Sequence, residues 1–403
     1  MMYNASRSFR VNLSSQRTGL ALEGPKYGGV WMKLSKVLVV AIVLLIGVAA
    51  FGATIKVALV APFTGLGSIL GDYIKMGAQL ALEEINAAGG INGDMLEMIV
   101  YDDAANPSTA SSVIRRALFQ DNVVAVFGPN MSSAVIGVHP LAQQAKVPML
   151  VGATSPSFRY SVIPNDFLFR LRADDKVKVI QLVKYAVEVL GIEKPGIVYG
   201  STDYCLAGLD VAKEEFPKYG IEIVAMEQIK EGDKDATGQL LKLKNAGFDG
   251  LIGLTHESEA AVTVNQLRQL QIDVPIIGFS AWGVPAFTDL APEAAIGVYS
   301  VQGFNPVDPD PAVQAFVEAY KARWDGKEPS DPAQAYYDGM YLLADALRNV
   351  GTDGTKLAQY LANEANIVGV QGELKCDEHH NFTNVCLISQ FDGKDWQIIN
   401  KLY

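Results

Sequence analysis

The sequence predicts an α/β protein made of two doubly wound lobes, each a parallel sheet flanked by helices. Three observations predict it. From Ile55 onward, short apolar runs of strand length alternate with amphipathic helical stretches. The alternation stops after Phe167–Leu171 and restarts with a helical stripe at Ile180, Val183, Val187 and Leu190. The chain has 403 residues, more than one ordinary core holds.

One stretch organises the reading. Val123–Phe127 is apolar and has the length of a buried parallel strand. Gly128-Pro129 ends it, and a helical pattern begins after Asn130-Met131, with Ser132 or Ser133 as the N-cap. Val147–Val151 is the next strand and ends in Gly152-Ala153-Thr154-Ser155-Pro156. Free N–H groups at a helix start, beside hydroxyls at the carboxyl ends of neighbouring strands, suit a carboxylate or phosphate. Simple helix capping is the competing reading of Ser132 and Thr154.

In chain order, Ile55–Ala61 is the first strand. A loop through Gly67 leads to a helix from about Asp72 to Ala88, with Ile74, Ala78, Ala81 and Ile85 on one stripe. Gly89-Gly90 stops it. Met95–Tyr101 is a strand ending in the turn Asp102-Asp103, and Pro107 opens a helix through Phe119. In the second set, strands Gly196–Gly200, Ile221–Glu227, Asp249–Leu254 and Val274–Gly278 alternate with helices. Gly297–Gln302 is a return strand, followed by helices near Ala312–Trp324 and Ala333–Val350. Val385–Phe391 and Trp396–Tyr403 form a hairpin around Asp392-Gly393. The strand ends carry Ser132, Ser133 and Thr154 in the first set. In the second they carry Asp203, Tyr204, His256 and Glu257, with Ser280 and Trp282 nearby. Facing each other, the two sets would line a cleft for a small ligand.

Composition narrows the function. The net charge of −11 and the lack of a dense Lys/Arg run argue against nucleic acid. Residues 1–31 have no periodicity and read as an extension or a misassigned start. Met32–Ala53 has two lysines, the apolar run Val37–Ala50 and a small-residue exit, which make a signal peptide cleaved after Gly52 or Ala53. The alternative is an uncleaved anchor, for which the run is short. Export permits disulfides. Cys376 and Cys386 flank a turn-like segment and pair across a hairpin in one reading, leaving Cys205 free; spacing does not decide it.

Other motifs exclude more than they offer. Gly65-x-Gly67-x-x-x-Gly71 misses dinucleotide spacing, because Leu70 takes the third glycine position, and no Gly-Lys-Ser/Thr loop exists. No nucleotide cofactor is expected. The hydrolase elbow G-x-S-x-G is missing too. His379-His380, near Cys376 and Cys386, lacks zinc spacing and reads as a solvated turn. His139 reads as a packed residue.

Several stretches together carry a resemblance. They are Ile55-Lys56-Val57-Ala58 with Thr64-Gly65, Ala81–Gly93, Tyr101-Asp102-Asp103, Phe127-Gly128-Pro129, Gly152–Pro156 and Tyr336–Leu347. From Ile55 to its C-terminus the chain resembles the bacterial solute-binding proteins of ABC importers for branched-chain amino acids and amides, which have the type I periplasmic-binding fold. The resemblance implies an extracytoplasmic protein, not an enzyme and without a cofactor. It would hand a small carboxylate-bearing solute to an ABC permease in the cytoplasmic membrane. It implies one lobe of residues 54–172 with 303–375 and another of 173–302 with 376–403. Three crossovers would form the hinge, near Leu171–Asp174, Ser300–Asn305 and Gly372–Asp377.

The resemblance also implies that the ligand's α-carboxylate sits on Ser132 and Thr154. Its ammonium would donate to the Ala153 carbonyl, and Tyr204 would close over it. The chain departs from the family at three places. It has Leu70 where amino-acid binders carry a Tyr or similar group, Ser280 where they place an acid for the ammonium, and His256 where an aromatic is usual. A buried ammonium without a countercharge is costly. Either Glu257 or Asp203 supplies the acid, or the ligand has no ammonium. In the second case Trp282 would favour a bulkier or aromatic acid. An exported α/β enzyme is the reading from another class, but the strand ends assemble no nucleophile, base and orienting group. A ligand-sensor domain is a third.

Overall fold

The computed structural model describes residues 52–65 and 67–402; the expected extension and nearly all of the signal segment lie outside the described residues. Two parallel sheets carry the chain. The first contains β1 (Thr54–Ala61), β2 (Met95–Asp102), β3 (Ala125–Phe127), β4 (Met149–Val151) and β5 (Leu168–Arg170), in the order β2-β1-β3-β4-β5. The second contains β6 (Pro195–Tyr199), β7 (Ala225–Gln228), β8 (Gly250–Leu254), β9 (Ile276–Gly278) and β10 (Tyr299–Gln302). These repeat the first order as β7-β6-β8-β9-β10. A small hairpin, β11 (Asn366–Gly369) with β12 (Gly372–Lys375), stands apart. The antiparallel pair β13 (Cys386–Phe391) and β14 (Trp396–Leu402) extends the second sheet beyond β10.

Strand order reverses beside β1 in one sheet and beside β6 in the other, so adjacent connections leave to opposite faces and open a crevice at the carboxyl ends. β3, β4, β8 and β9 are buried throughout, which is why they read as continuous apolar runs instead of alternating ones. Each sheet has its own apolar core. In the first, helix Ile69–Ala87 packs closely on helix Asp331–Val350, across 250 residues of sequence. Gly77 makes the approach possible, because a Cβ there would lie 1.9 Å from the Ala333 carbonyl oxygen.

The helices and strands follow the expected order, with several starting or ending a few residues away. β3 and β4 each begin two residues late, at Ala125 and Met149, because only their ends pair with neighbours. Helix Gly354–Asn363 and the β11–β12 hairpin fall outside the sequence reading. Between Phe127 and Val135 the helix begins at Ser132 with Met131 as its N-cap, and no side chain caps it. Neither Ser132 nor Ser133 therefore serves as the cap.

The chain passes between the sheets three times. Leu171 belongs to the first core and helix Asp175–Glu188 to the second. Gln302 ends β10, and Phe304 joins a cluster with Leu80 of the first lobe. The third passage corrects the expected one at Gly372–Asp377. The Arg170 N–H donates to the His380 carbonyl, the Phe382 N–H donates to the Arg170 carbonyl, and Phe382 lies in the first core. Cys386 lies in the second, so the passage is Thr383–Val385. This also separates the cysteines. Cys376 packs against the first core, Cys386 is buried in the second, and all three thiols are free. His380 is not a solvated turn residue: its ring stacks on Phe169 at 4.8 Å and its Nδ1 lies 3.0 Å from the Leu168 carbonyl oxygen. Among the described residues no cluster of His, Cys, Asp or Glu can hold a metal ion, and no helix is long and apolar enough to cross a membrane.

Candidate functional site

The carboxyl ends of β3, β4, β6, β8 and β9 converge on one cavity. Asn130, Met131, Ser132 and Thr154 wall it from the first sheet; Tyr204, His256, Glu257 and Ser280 wall it from the second. Leu70, Val284 and Pro332 add an apolar rim. The free volume is about 40 Å³, room for a few waters.

On the first lobe, Ser132 is the first residue of a fourteen-residue helix, so unpaired N–H groups and the positive end of the dipole lie beside it. Its Oγ accepts from the Ser155 N–H at 3.3 Å, which leaves its own O–H free to donate. Thr154 is buried, and its side chain hydrogen-bonds the carboxyl group of Asp175, which burial pushes above the usual carboxylate range. The Asn130 Oδ1 is buried with no partner.

Arg172 reaches the cavity from the first passage. It is buried, forks onto Asp331 through Nε at 3.2 Å and Nη2 at 3.0 Å, and donates to the Gly152 carbonyl through Nη1 at 3.2 Å. Sequence reading missed it. Its partner lies 159 positions away, and no local pattern couples the two.

The second lobe presents an aromatic stack. Tyr204 lies flat on Phe279 at 4.5 Å and against His256 at 5.1 Å. The Tyr204 hydroxyl oxygen accepts from the Ala281 N–H at 3.3 Å, so its proton is available to a ligand. His256 Nε2 faces Thr202 Oγ1 at 3.0 Å, and burial lowers its pKa to about 4, which keeps it neutral. Glu257 opens helix Glu257–Gln269 and is buried, with Oε2 lacking any partner. Burial first, and then Glu259, push its carboxyl above the ordinary range. The Ser280 Oγ is equally buried and unpartnered.

Three anticipated residues stand off the cavity wall. Ala153 is buried directly behind Thr154, Ser133 is half-buried one residue into the helix, and Trp282 turns away altogether. Ser280–Gly283 is a tight 3₁₀ turn that rotates the indole into the second core. There its Nε1 donates to Thr255 Oγ1 at 3.1 Å, and the ring covers Gly253 and Gly278. Asp203 sits at the lobe boundary, where its Oδ1 accepts from Ser157 Oγ of the first lobe at 3.2 Å. The unmet polar atoms of the wall, Asn130 Oδ1, Glu257 Oε2 and Ser280 Oγ, all accept hydrogen bonds, and one of them is an acid.

Comparison with known proteins gives a consistent picture. A leucine-, isoleucine-, valine-, threonine- and alanine-binding protein of Pseudomonas aeruginosa is 28% identical over 317 residues, 76% of this chain and 82% of that protein. The branched-chain amino acid transporter substrate-binding protein of Streptococcus pneumoniae, solved with isoleucine, superposes with a TM-score of 0.79 at 29% identity. The match covers 87% of this chain and all of that one. A solute-binding protein of an ABC transporter from Rhodopseudomonas palustris, solved with 3,4-dihydroxybenzoic acid, shares the fold with a TM-score of 0.77 at 24% identity, over 87% of this chain and 97% of that one. The family model described as periplasmic binding protein matches residues 54–395, which take in the first sheet, all of the second but β14, and every wall of the cavity, and the chain belongs to that family.

Proposed function

We propose that the chain is the exported solute-binding component of an ABC importer and that it holds an aliphatic α-amino acid between its lobes for a membrane permease. The carrying observation is the pairing across the cavity: a free hydroxyl at a helix start, Ser132, faces a buried, unpartnered acid, Glu257. The first suits an α-carboxylate and the second an α-ammonium. Thr154 adds a donor to the carboxylate, and Tyr204 closes from the second lobe. Leu70, Met131 and Val284 offer the apolar contact for an aliphatic side chain. The relatives named for leucine, isoleucine and valine support the same ligand class. Trp282, the residue that would favour a bulkier or aromatic acid, is spent in the second core.

The role is binding without chemistry. Ser132 has no base beside it, and His256 is neutral and held by Thr202. The lobes are residues 54–172 with 303–382 and 173–302 with 383–402, and they part about the three passages to admit a ligand larger than the closed cavity. Calorimetry with L-isoleucine and 3,4-dihydroxybenzoate, on wild type and Ser132→Ala, tests the reading. Isoleucine is expected to bind, and Ser132→Ala to weaken it about ten- to hundred-fold. Unchanged affinity in Ser132→Ala overturns the carboxylate site; binding of the benzoate alone overturns the amino acid.

A further inference from the structure

We propose that the ligand cavity continues into a second, polar chamber that receives the end of a long side chain carrying an amide or ureido group. The inference rests on the amino-acid reading above and extends it. The cavity proper has about 40 Å³ of free volume, whereas the chamber beside it has about 910 Å³. Ser280 and Val284 line both, so one wall is shared. The head group of an amino acid is held in the tight space, and the room for anything longer lies past these two residues.

The chamber is built with polar atoms that nothing in the protein satisfies. Gln302, Ser330 and Trp396 line it, all three more than nine-tenths buried, and Gln302 Oε1, Ser330 Oγ and Trp396 Nε1 have no partner. Each is fixed by other contacts. The Gln302 Nε2 donates to the Gly283 carbonyl at 2.7 Å, which leaves the amide oxygen as the free end. The Trp396 ring packs on Phe391 at 5.4 Å and Phe287 at 6.4 Å. Ser330 immediately precedes helix Asp331–Val350 yet makes no capping bond with its hydroxyl. Burying such groups unpaired costs free energy that a matching ligand recovers.

Their chemistry selects the group. Gln302 Oε1 only accepts, Trp396 Nε1 only donates, and the Ser330 hydroxyl does either. An ammonium leaves the indole N–H unmatched, and a carboxylate meets the amide oxygen as a second acceptor. A carboxamide or urea carries both N–H and C=O and so offers a partner of the right kind to each. The charged rim is largely paired: Lys321 with Glu328, Lys394 with Asp395, and Asp331 with Arg172. A neutral guest therefore meets little net charge.

The test is calorimetry on the whole exported chain with L-isoleucine and L-citrulline, on wild type, Ser330→Ala and Trp396→Phe. Citrulline is expected to bind wild type, and each variant to weaken it about two- to tenfold while leaving isoleucine unchanged. Isoleucine binding without citrulline overturns the chamber and leaves the amino-acid reading standing. Variants that leave citrulline unchanged, or weaken both ligands alike, also overturn the chamber. Failure of both ligands to bind wild type overturns both proposals.

Discussion

Glu257→Gln isolates the countercharge. The carboxyl is buried in the cavity wall with Oε2 unpartnered, and Gln keeps its shape while removing its charge. A hydrogen bond between charged groups contributes about 1.5–3 kcal/mol. At about 1.4 kcal/mol per decade, the variant should bind isoleucine about ten- to 150-fold more weakly. The pH dependence carries a second readout. Burial raises the carboxyl in the free protein, and a ligand ammonium beside it favours the ionised form. Binding below the free-protein value must expel a proton, so affinity rises with pH until Glu257 is already ionised. Titrations in buffers of different ionisation enthalpy should show proton release by wild type and none by Glu257→Gln. Stability should move the other way. The folded state holds the proton that the unfolded state has lost, so ionising Glu257 costs stability as pH rises, and the unliganded variant should melt no lower than wild type at neutral pH. Equal affinity in the variant, with no proton exchanged by wild type, refutes the countercharge.

Two further outcomes bear on the scaffold. Asp338 accepts the Val370 N–H on both oxygens, at 3.1 and 3.2 Å, and burial pushes its carboxyl up to about 7. Wild-type stability should therefore fall relative to Asp338→Asn as pH rises from about 4 to 7, read by thermal unfolding across that range; parallel curves would sink the assignment. Trp282→Ala should destabilise the fold by about 3–5 kcal/mol in urea, because the indole is fully buried over Gly253 and Gly278; a loss below about 1 kcal/mol would show that the ring is not core.

Local pattern carried the fold well. The strands that flank the cavity are short and apolar, and β3, β6 and β8 are each followed directly by a helix, so the alternation announced them. The strand ends named Ser132, Thr154, Tyr204, His256, Glu257 and Ser280, and the fold brings these six together. The failures have separate causes. Trp282 turned inward because a 3₁₀ turn advances by three residues, and a strand-end reading assumes extended backbone. Arg172 and Asp331 meet only through the fold, so neither drew notice. The β11–β12 hairpin, with its Gly369 and Gly372, has no apolar alternation to mark it. The third passage slipped because Phe382, a single apolar residue in a polar stretch, keeps Asp377–Phe382 on the first lobe.

The contact at Gly77 sets an order for folding. Helix Ile69–Ala87 packs on Asp331–Val350, so the first core is completed only after more than three hundred residues have been made. The second lobe waits too: β6 to β10 and their helices are contiguous in sequence, but β13 and β14, from the last residues of the chain, complete its sheet and core. A fragment ending ahead of Asp331 leaves the helix face at Gly77 uncovered. Loop closure over this span is entropically slow. It leaves both lobes to be completed by the last part of the chain.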